Sequence, residues 1–120
     1  MTKKILVIDD SPTIVEMTKA MLEEADYSVI TATDGMEGLD KAREEKPDLI
    51  LLDVMMPKMD GYEVCRLLKY DEEFETTPII MLTARTQAKD KSIGKDVGAD
   101  DYITKPFDGT DLLEKIKKLL

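Results

Sequence analysis

Short, unbroken apolar runs alternate along the chain with longer stretches in which apolar residues recur every three or four positions. Residues 5–8, 49–52 and 79–82 are apolar at every position. Such runs suit strands covered on both faces, as in a parallel sheet, rather than strands with one wet face. Residues 28–31 and 101–104 read as two weaker strands. Between these lie segments of helical period. Pro12 follows Asp10-Ser11, which predicts an N-cap with proline at the first helical position. In that helix Ile14, Met17, Met21 and Ala25 recur at helical spacing and are expected to face the core. Residues 35–45 predict a second helix, stopped by Lys46-Pro47. Residues 62–69 predict a third, with Val64, Leu67 and Leu68 apolar. Residues 88–97 predict a fourth, ending at Gly98. Residues 110–120 predict a last helix whose stripe is Leu112, Leu113, Ile116, Leu119 and Leu120.

Strand and helix thus alternate about five times. Right-handed crossovers turn that order into a doubly wound α/β sandwich with a five-stranded parallel sheet and helices on both faces. The 120 residues, 42% hydrophobic, are enough for one domain with one core. No linker, repeat or low-complexity segment interrupts the pattern. The last helix runs to the last residue, so one domain over 1–120 without an output domain is the expectation.

Charge and cysteine usage narrow the chemistry. Twenty-six acidic residues against 17 basic give a formal net charge of -9, which argues against direct DNA binding. Cys65 is the only cysteine and histidine is absent, so a Cys/His zinc site is excluded. A metal here must be held by oxygen, which points to a hard cation such as Mg²⁺. No apolar stretch is long enough to cross a bilayer, and Lys3-Lys4 lead into an apolar run too short for a secretion signal. A soluble cytoplasmic protein is therefore expected.

Asp9 and Asp10 directly follow the first strand run, Asp53 the third and Thr83 the fourth; Lys105 follows the last. In a parallel sheet all carboxyl ends lie along one edge, where open α/β sheets bind ligands. Residues scattered over the whole chain then meet. Two carboxylates 4 Å apart repel by about 4 kcal/mol at an effective dielectric near 20. Three cannot all stay ionised without compensation, which a divalent cation and the Lys105 ammonium would supply. A carboxylate, a metal, a lysine and a hydroxyl together fit phosphoryl transfer, with Asp53 as nucleophile and Thr83 as donor to a phosphoryl oxygen.

The stretches Ile8-Asp9-Asp10-Ser11, Pro47-Asp48 through Asp53, Met56-Pro57-Lys58-Met59-Asp60-Gly61, Leu82-Thr83-Ala84 and Gly98-Ala99-Asp100-Asp101-Tyr102-Ile103-Thr104-Lys105-Pro106-Phe107 resemble, in order and spacing, the receiver domains of bacterial two-component response regulators. The resemblance covers essentially the whole chain. It implies the CheY-like, flavodoxin-like strand order 2-1-3-4-5 and a phosphorylation-dependent signalling switch. By the same resemblance, Asp53 takes a phosphoryl group from a sensor histidine kinase or a histidine phosphotransfer protein. Asp9, Asp10, Asp53 and the backbone carbonyl of Met55 hold Mg²⁺, with Mn²⁺ as an alternative occupant. Thr83 and Ala84 bind the phosphoryl group, Tyr102 is the switch aromatic, and Lys105 pairs with the phosphoryl oxygens ahead of a cis bond to Pro106. The face of the fourth helix, fifth strand and last helix passes the signal to a protein target. The domain is no enzyme beyond catalysing its own phosphorylation and slow dephosphorylation.

Some positions depart from the family pattern. Asp26 stands where a glycine is usual, and Asp enters the left-handed region at some cost. Ser92 and Lys95 make the predicted fourth helix more polar than usual. Gly38 lowers the propensity of the second helix by about 1 kcal/mol relative to alanine. If Ile14, Met17 and Met21 face the core, Val15 points about 100° away into solvent, and with Pro106 and Phe107 forms an expected docking patch for the phosphodonor. Met55, Met56 and Met59 read as packing residues and Cys65 as a small apolar helix residue. Three competing functions are weighed. A flavodoxin-like redox protein would need a phosphate loop free of Asp9-Asp10. A haloacid-dehalogenase-like, Mg²⁺-dependent phosphohydrolase would carry Asp-x-Asp after the first strand. A degenerate docking module would lack part of the acidic, hydroxyl and lysine set.

Overall fold

The computed structural model describes residues 2–84 and 98–120, without the side chain of Ala84. Five strands, β1 (Lys4–Ile8), β2 (Ser28–Ala32), β3 (Leu49–Asp53), β4 (Ile79–Ala84) and β5 (Asp101–Lys105), form one sheet in the order β2-β1-β3-β4-β5. Every pairing is parallel. The helices among the described residues are α1 (Pro12–Glu24), α2 (Gly35–Glu45), α3 (Gly61–Tyr70) and α4 (Gly109–Leu119), with a 3-10 turn over Glu72–Phe74. The helix predicted over residues 88–97, with Ser92 and Lys95, lies outside the described residues.

Strand periodicity divides the core in two. Leu6, Ile8, Ile50, Leu52, Ile79 and Met81 point to one face, where Leu39 and Ala42 of α2 and Val64, Cys65 and Leu68 of α3 cover them. Ile5, Val7, Leu49, Leu51, Ile80 and Leu82 point to the other, against Leu22 of α1 and Leu112 and Ile116 of α4. All five residues of β3 are buried, as an unbroken apolar run demands of a central strand. Cys65 is buried among them, and burial pushes its thiol up to about 11.

The helix ends follow the capping rules. Ser11 caps α1 and Pro12 is its first residue. Asp26 takes φ 70 after α1, so it adopts the left-handed turn that a glycine would take more cheaply. Lys46 closes α2 at φ 48.

The phase of α1 differs from expectation. Val15, Thr18 and Leu22 are its buried residues, whereas Met17 is 64% exposed. Val15, at 6% exposure, is therefore no surface residue, and its expected place in a docking patch is corrected. The apolar residues of α1 span a wide arc, and the sheet takes the middle of it. That middle includes Thr18, a polar residue that hydropathy alone turns outward. Ile14 and Met21 flank the stripe, half-buried. On α3, Leu67 is 46% exposed and Cys65 takes its place in the core.

Gly38 is present for space. A Cβ there would lie 2.6 Å from Ile8 Cδ1 and 3.0 Å from its Cγ1 and Cγ2. Gly38→Ala gains helix propensity yet overpacks, and overpacking costs about 1–3 kcal/mol. Ile8→Val removes Cδ1 and makes room. Urea melts of the two single variants and the double are expected to show a double more stable than additivity by about 1 kcal/mol. Strict additivity would mean that the two residues do not compete for space.

Candidate functional site

The carboxyl edge of the sheet gathers the predicted residues. Asp9 directly follows β1, and its N–H donates to the Ala32 carbonyl at 3.1 Å. Asp53 is the last residue of β3. Thr83 lies within β4 opposite Thr104, and Ala84 pairs with Lys105, the last residue of β5. Strand register thus sets these groups side by side. One oxygen each from Asp9, Asp10 and Asp53 lies within 4.8 Å of the others. Asp9 and Asp53 are buried and Asp10 is exposed.

Lys105 Nζ joins the two buried carboxylates, donating to Asp9 Oδ2 at 2.8 Å and to Asp53 Oδ1 at 3.0 Å. The other Asp9 oxygen accepts the Ser11 N–H at 3.0 Å, at the start of α1. Burial pushes Asp53 up to about 6, and the neighbouring Asp9 charge adds to it; Lys105 pulls the other way without cancelling them. Burial opposes the Lys105 charge, but its bonds to Asp9 and Asp53 outweigh this and hold its pKa above the ordinary lysine value. Among the described residues, this one ammonium does not balance two buried carboxylates and an exposed third. The donor set is all oxygen, and its uncompensated charge fits a hard divalent cation.

Thr83 is fully buried, and its Oγ1 has no hydrogen-bond partner among the described residues. A buried hydroxyl without a partner costs about 1–3 kcal/mol. Such a group is stabilised once an acceptor arrives beside it. Thr18 Oγ1 is in the same state, so the feature alone does not mark a site.

The remaining predicted residues are spread around this centre. Tyr102 is half-buried and packs against the core face that α2 and α3 cover. The Lys105–Pro106 peptide bond is cis. Pro106 is exposed and Phe107 half-buried. Phe107 lines a groove of about 190 Å³ with Ile14, Met17, Thr18, Met21 and Gly109. Met55 is 64% exposed, so its side chain is not the packing residue expected, whereas Met56 is buried. Sequence reasoning also passed over Phe74, which the 3-10 turn buries completely in the core. Its signal was Asp71, which caps that turn by accepting the Glu73 N–H.

A family profile described as the response regulator receiver domain matches residues 5–117. The chain belongs to the receiver domain family of two-component signalling. It is 51% identical over 120 residues to the alkaline phosphatase synthesis transcriptional regulatory protein PhoP of Bacillus subtilis, covering 100% of this chain and 49% of that one. The receiver thus spans about half the length of that relative. Among solved structures, the Vibrio cholerae chemotaxis protein CheY4 superposes with a TM-score of 0.94 at 39% identity, with 100% of both chains covered. The receiver domain of a sensor histidine kinase from Pseudomonas aeruginosa, solved with magnesium coordinated in its active-site cleft, gives 0.90 at 30% identity, covering 99% of this chain and 98% of that one. The strand order is that of the CheY-like fold, and the Asp9, Asp10 and Asp53 cluster fits the phosphorylation site of a receiver. None of the described helices is long and apolar enough to cross a membrane.

Proposed function

We propose that Asp53 is the phosphoryl acceptor of this receiver and that the chain itself catalyses the transfer. The observation that carries the reading is the Lys105 ammonium shared between Asp9 and Asp53, from residues 96 and 52 positions apart in sequence. An Asp53 carboxylate oxygen attacks phosphorus. The new O–P bond forms as the P–N bond of a phosphohistidine, or the P–O bond of acetyl phosphate, breaks, and the electron pair leaves with imidazole or acetate. Lys105 swings from Asp53 to a phosphoryl oxygen while still anchored on Asp9. Thr83 donates its hydroxyl to another phosphoryl oxygen, which ends its unsatisfied state. Asp9, Asp10, Asp53 and the Met55 carbonyl would hold Mg²⁺ or Mn²⁺, which supplies neutralising charge at the transferring oxygens when bound. Hydrolysis of the acyl phosphate by water returns the domain to rest.

The partners are a sensor histidine kinase or histidine phosphotransfer protein as donor, and a protein target that reads the changed surface beside β5 and α4. Donor docking falls to the exposed Met17 in place of Val15, together with Pro106 and Phe107. The chain's net charge of -9 disfavours nucleic acid as the target of this domain, and a cytoplasmic location suits its donors.

Thr83 and Tyr102 carry the response. As the Thr83 hydroxyl turns to the phosphoryl group, the space it leaves admits the Tyr102 ring, shifting a population between two arrangements. Thr83→Ala is expected to accept phosphate from acetyl phosphate with Mg²⁺. Its Tyr102 ring resonances should then stay where they were, whereas those of the wild type move. A Tyr102 response of wild-type size in Thr83→Ala would remove the switch role from that hydroxyl.

A further inference from the structure

Three helices begin on the same two residues. Asp34-Gly35, Asp60-Gly61 and Asp108-Gly109 place aspartate at the N-cap and glycine at the first helical position of α2, α3 and α4. Each aspartate accepts a backbone N–H of its first turn. None of the three glycines has a positive φ, so none is there for the left-handed region. Local chemistry alone predicts that alanine would be equally welcome at all three.

Their surroundings separate them. A Cβ at Gly35 would meet side chains, Val64 Cγ2 at 3.0 Å and Met59 Cβ and Sδ at 3.1 Å. At Gly109 it would meet Met21 Sδ at 2.6 Å, the far end of a flexible chain. At Gly61 it would overlap the carbonyl oxygen of Asp53 and lie 2.9 Å from that carbonyl carbon and from Val54 Cα. All three of those atoms are backbone, and no rotamer change moves them. That peptide and the next are each held by a hydrogen bond. Val54 N–H donates to Leu82 of β4 at 3.1 Å, and the Val54 carbonyl accepts the Gly61 N–H at 2.9 Å.

We propose that Gly61 is a positioning residue for Asp53: the bare first turn of α3 is the stop against which the peptide of the phosphoryl acceptor rests. The inference rests on the reading of Asp53 as acceptor. A side chain at 61 displaces the Asp53 carbonyl, and with it the carboxylate, from Lys105 and Asp9. Misplacement of a reacting group by about 1 Å can cost a hundredfold in rate.

The test measures phosphorylation by intact mass, with saturating acetyl phosphate and Mg²⁺, at a temperature where circular dichroism shows every variant folded. Gly61→Ala is expected to lose about tenfold or more in the saturating rate. Gly35→Ala and Gly109→Ala should stay within about twofold of the wild type, since only side chains need give. Leu68→Ala empties a buried site on α3 and lowers the melting temperature without touching the first turn; it too should keep its rate. A wild-type rate in Gly61→Ala overturns the proposal. So does an equal loss in Leu68→Ala, because stability would then explain both. If Gly61→Ala does not fold, the cap reaches the same contact. Asp60→Ala should slow phosphorylation and Asp60→Asn, which keeps a capping side chain, should restore it; an Asp60→Ala protein at the wild-type rate overturns the proposal. A wild type that gains no phosphoryl group at all removes Asp53 as acceptor and this inference with it, an outcome distinct from equal rates in wild type and variant.

Discussion

Asp53→Asn is expected to take up no phosphoryl group from acetyl phosphate and Mg²⁺, and at the same time to be more stable than the wild type in the absence of a divalent cation. Both follow from one charge. The amide has no anionic oxygen to attack phosphorus, and it removes one of two buried carboxylates that share a single ammonium. The Asp53 carboxyl holds its proton to about pH 6 in the fold, against 3.8 in the open chain. Between those values the native state binds more protons than the unfolded one. Stability therefore falls as pH rises from about 4 to 6, and the deficit persists above that window. A raised carboxyl of this size corresponds to about 3 kcal/mol. Urea melts across that range in EDTA should show a decline in the wild type that Asp53→Asn lacks. At about pH 8, Mg²⁺ should return stability to the wild type and less to the variant. Parallel pH profiles for the two proteins would mean that Asp53 ionises in the fold without penalty.

The second large effect concerns Lys105, the cation that bridges Asp9 and Asp53. Lys105→Met keeps most of the stem and removes the ammonium, leaving the Asp9 and Asp53 carboxylates facing each other. Removing one member of a buried ion pair costs about 3–5 kcal/mol. The cost should grow as pH rises through and above about 6, where the Asp53 carboxyl loses its proton. Added Mg²⁺ should recover part of it. The phosphorylation rate should fall about a hundredfold even with Mg²⁺ saturating, because the ammonium also meets charge on the transferring oxygens. A Lys105→Met protein within about 1 kcal/mol of the wild type in EDTA would show that the two carboxylates do not depend on it.

How much of this was legible in the sequence differs by element, for physical reasons. The runs at 5–8, 49–52 and 79–82 identified buried parallel strands because only strands covered on both faces are apolar at every position. The strands at 28–31 and 101–104 were weaker signals: Ser28 is exposed, and the rest of β2 and β5 is only partly buried except at Ala32 and Ile103. The third, fourth and fifth strands run one or two residues past their predicted ends, to Asp53, Ala84 and Lys105, since the polar residues of the site continue the ladder beyond the point where hydropathy ends it. The site itself was legible because parallel topology sends every carboxyl end to one edge, so that sequence position alone grouped Asp9, Asp10, Asp53, Thr83 and Lys105. The phase of α1 was not legible. Thr18 packs inward while Met17 points out, and a hydropathy pattern reads both the other way. Phase errors of this kind move a whole face, which is how Val15 came to be placed on the surface. Phe74 was hidden because one aromatic in the acidic stretch around 71–75 has no periodicity to declare it. Gly61 appeared only as part of a motif. Its neighbour is the Asp53 carbonyl, and a contact with backbone eight positions earlier leaves no trace in residue type.

The most direct test of the acceptor reading is to incubate the wild-type protein with acetyl phosphate and Mg²⁺, reduce it with borohydride, and sequence its peptides by mass spectrometry. Reduction converts an aspartyl phosphate to homoserine and leaves free carboxylates alone. Homoserine at position 53, absent when EDTA replaces Mg²⁺, is the predicted result. Homoserine at Asp9 or Asp10 instead, or at no position in a protein whose fold is intact, would contradict it.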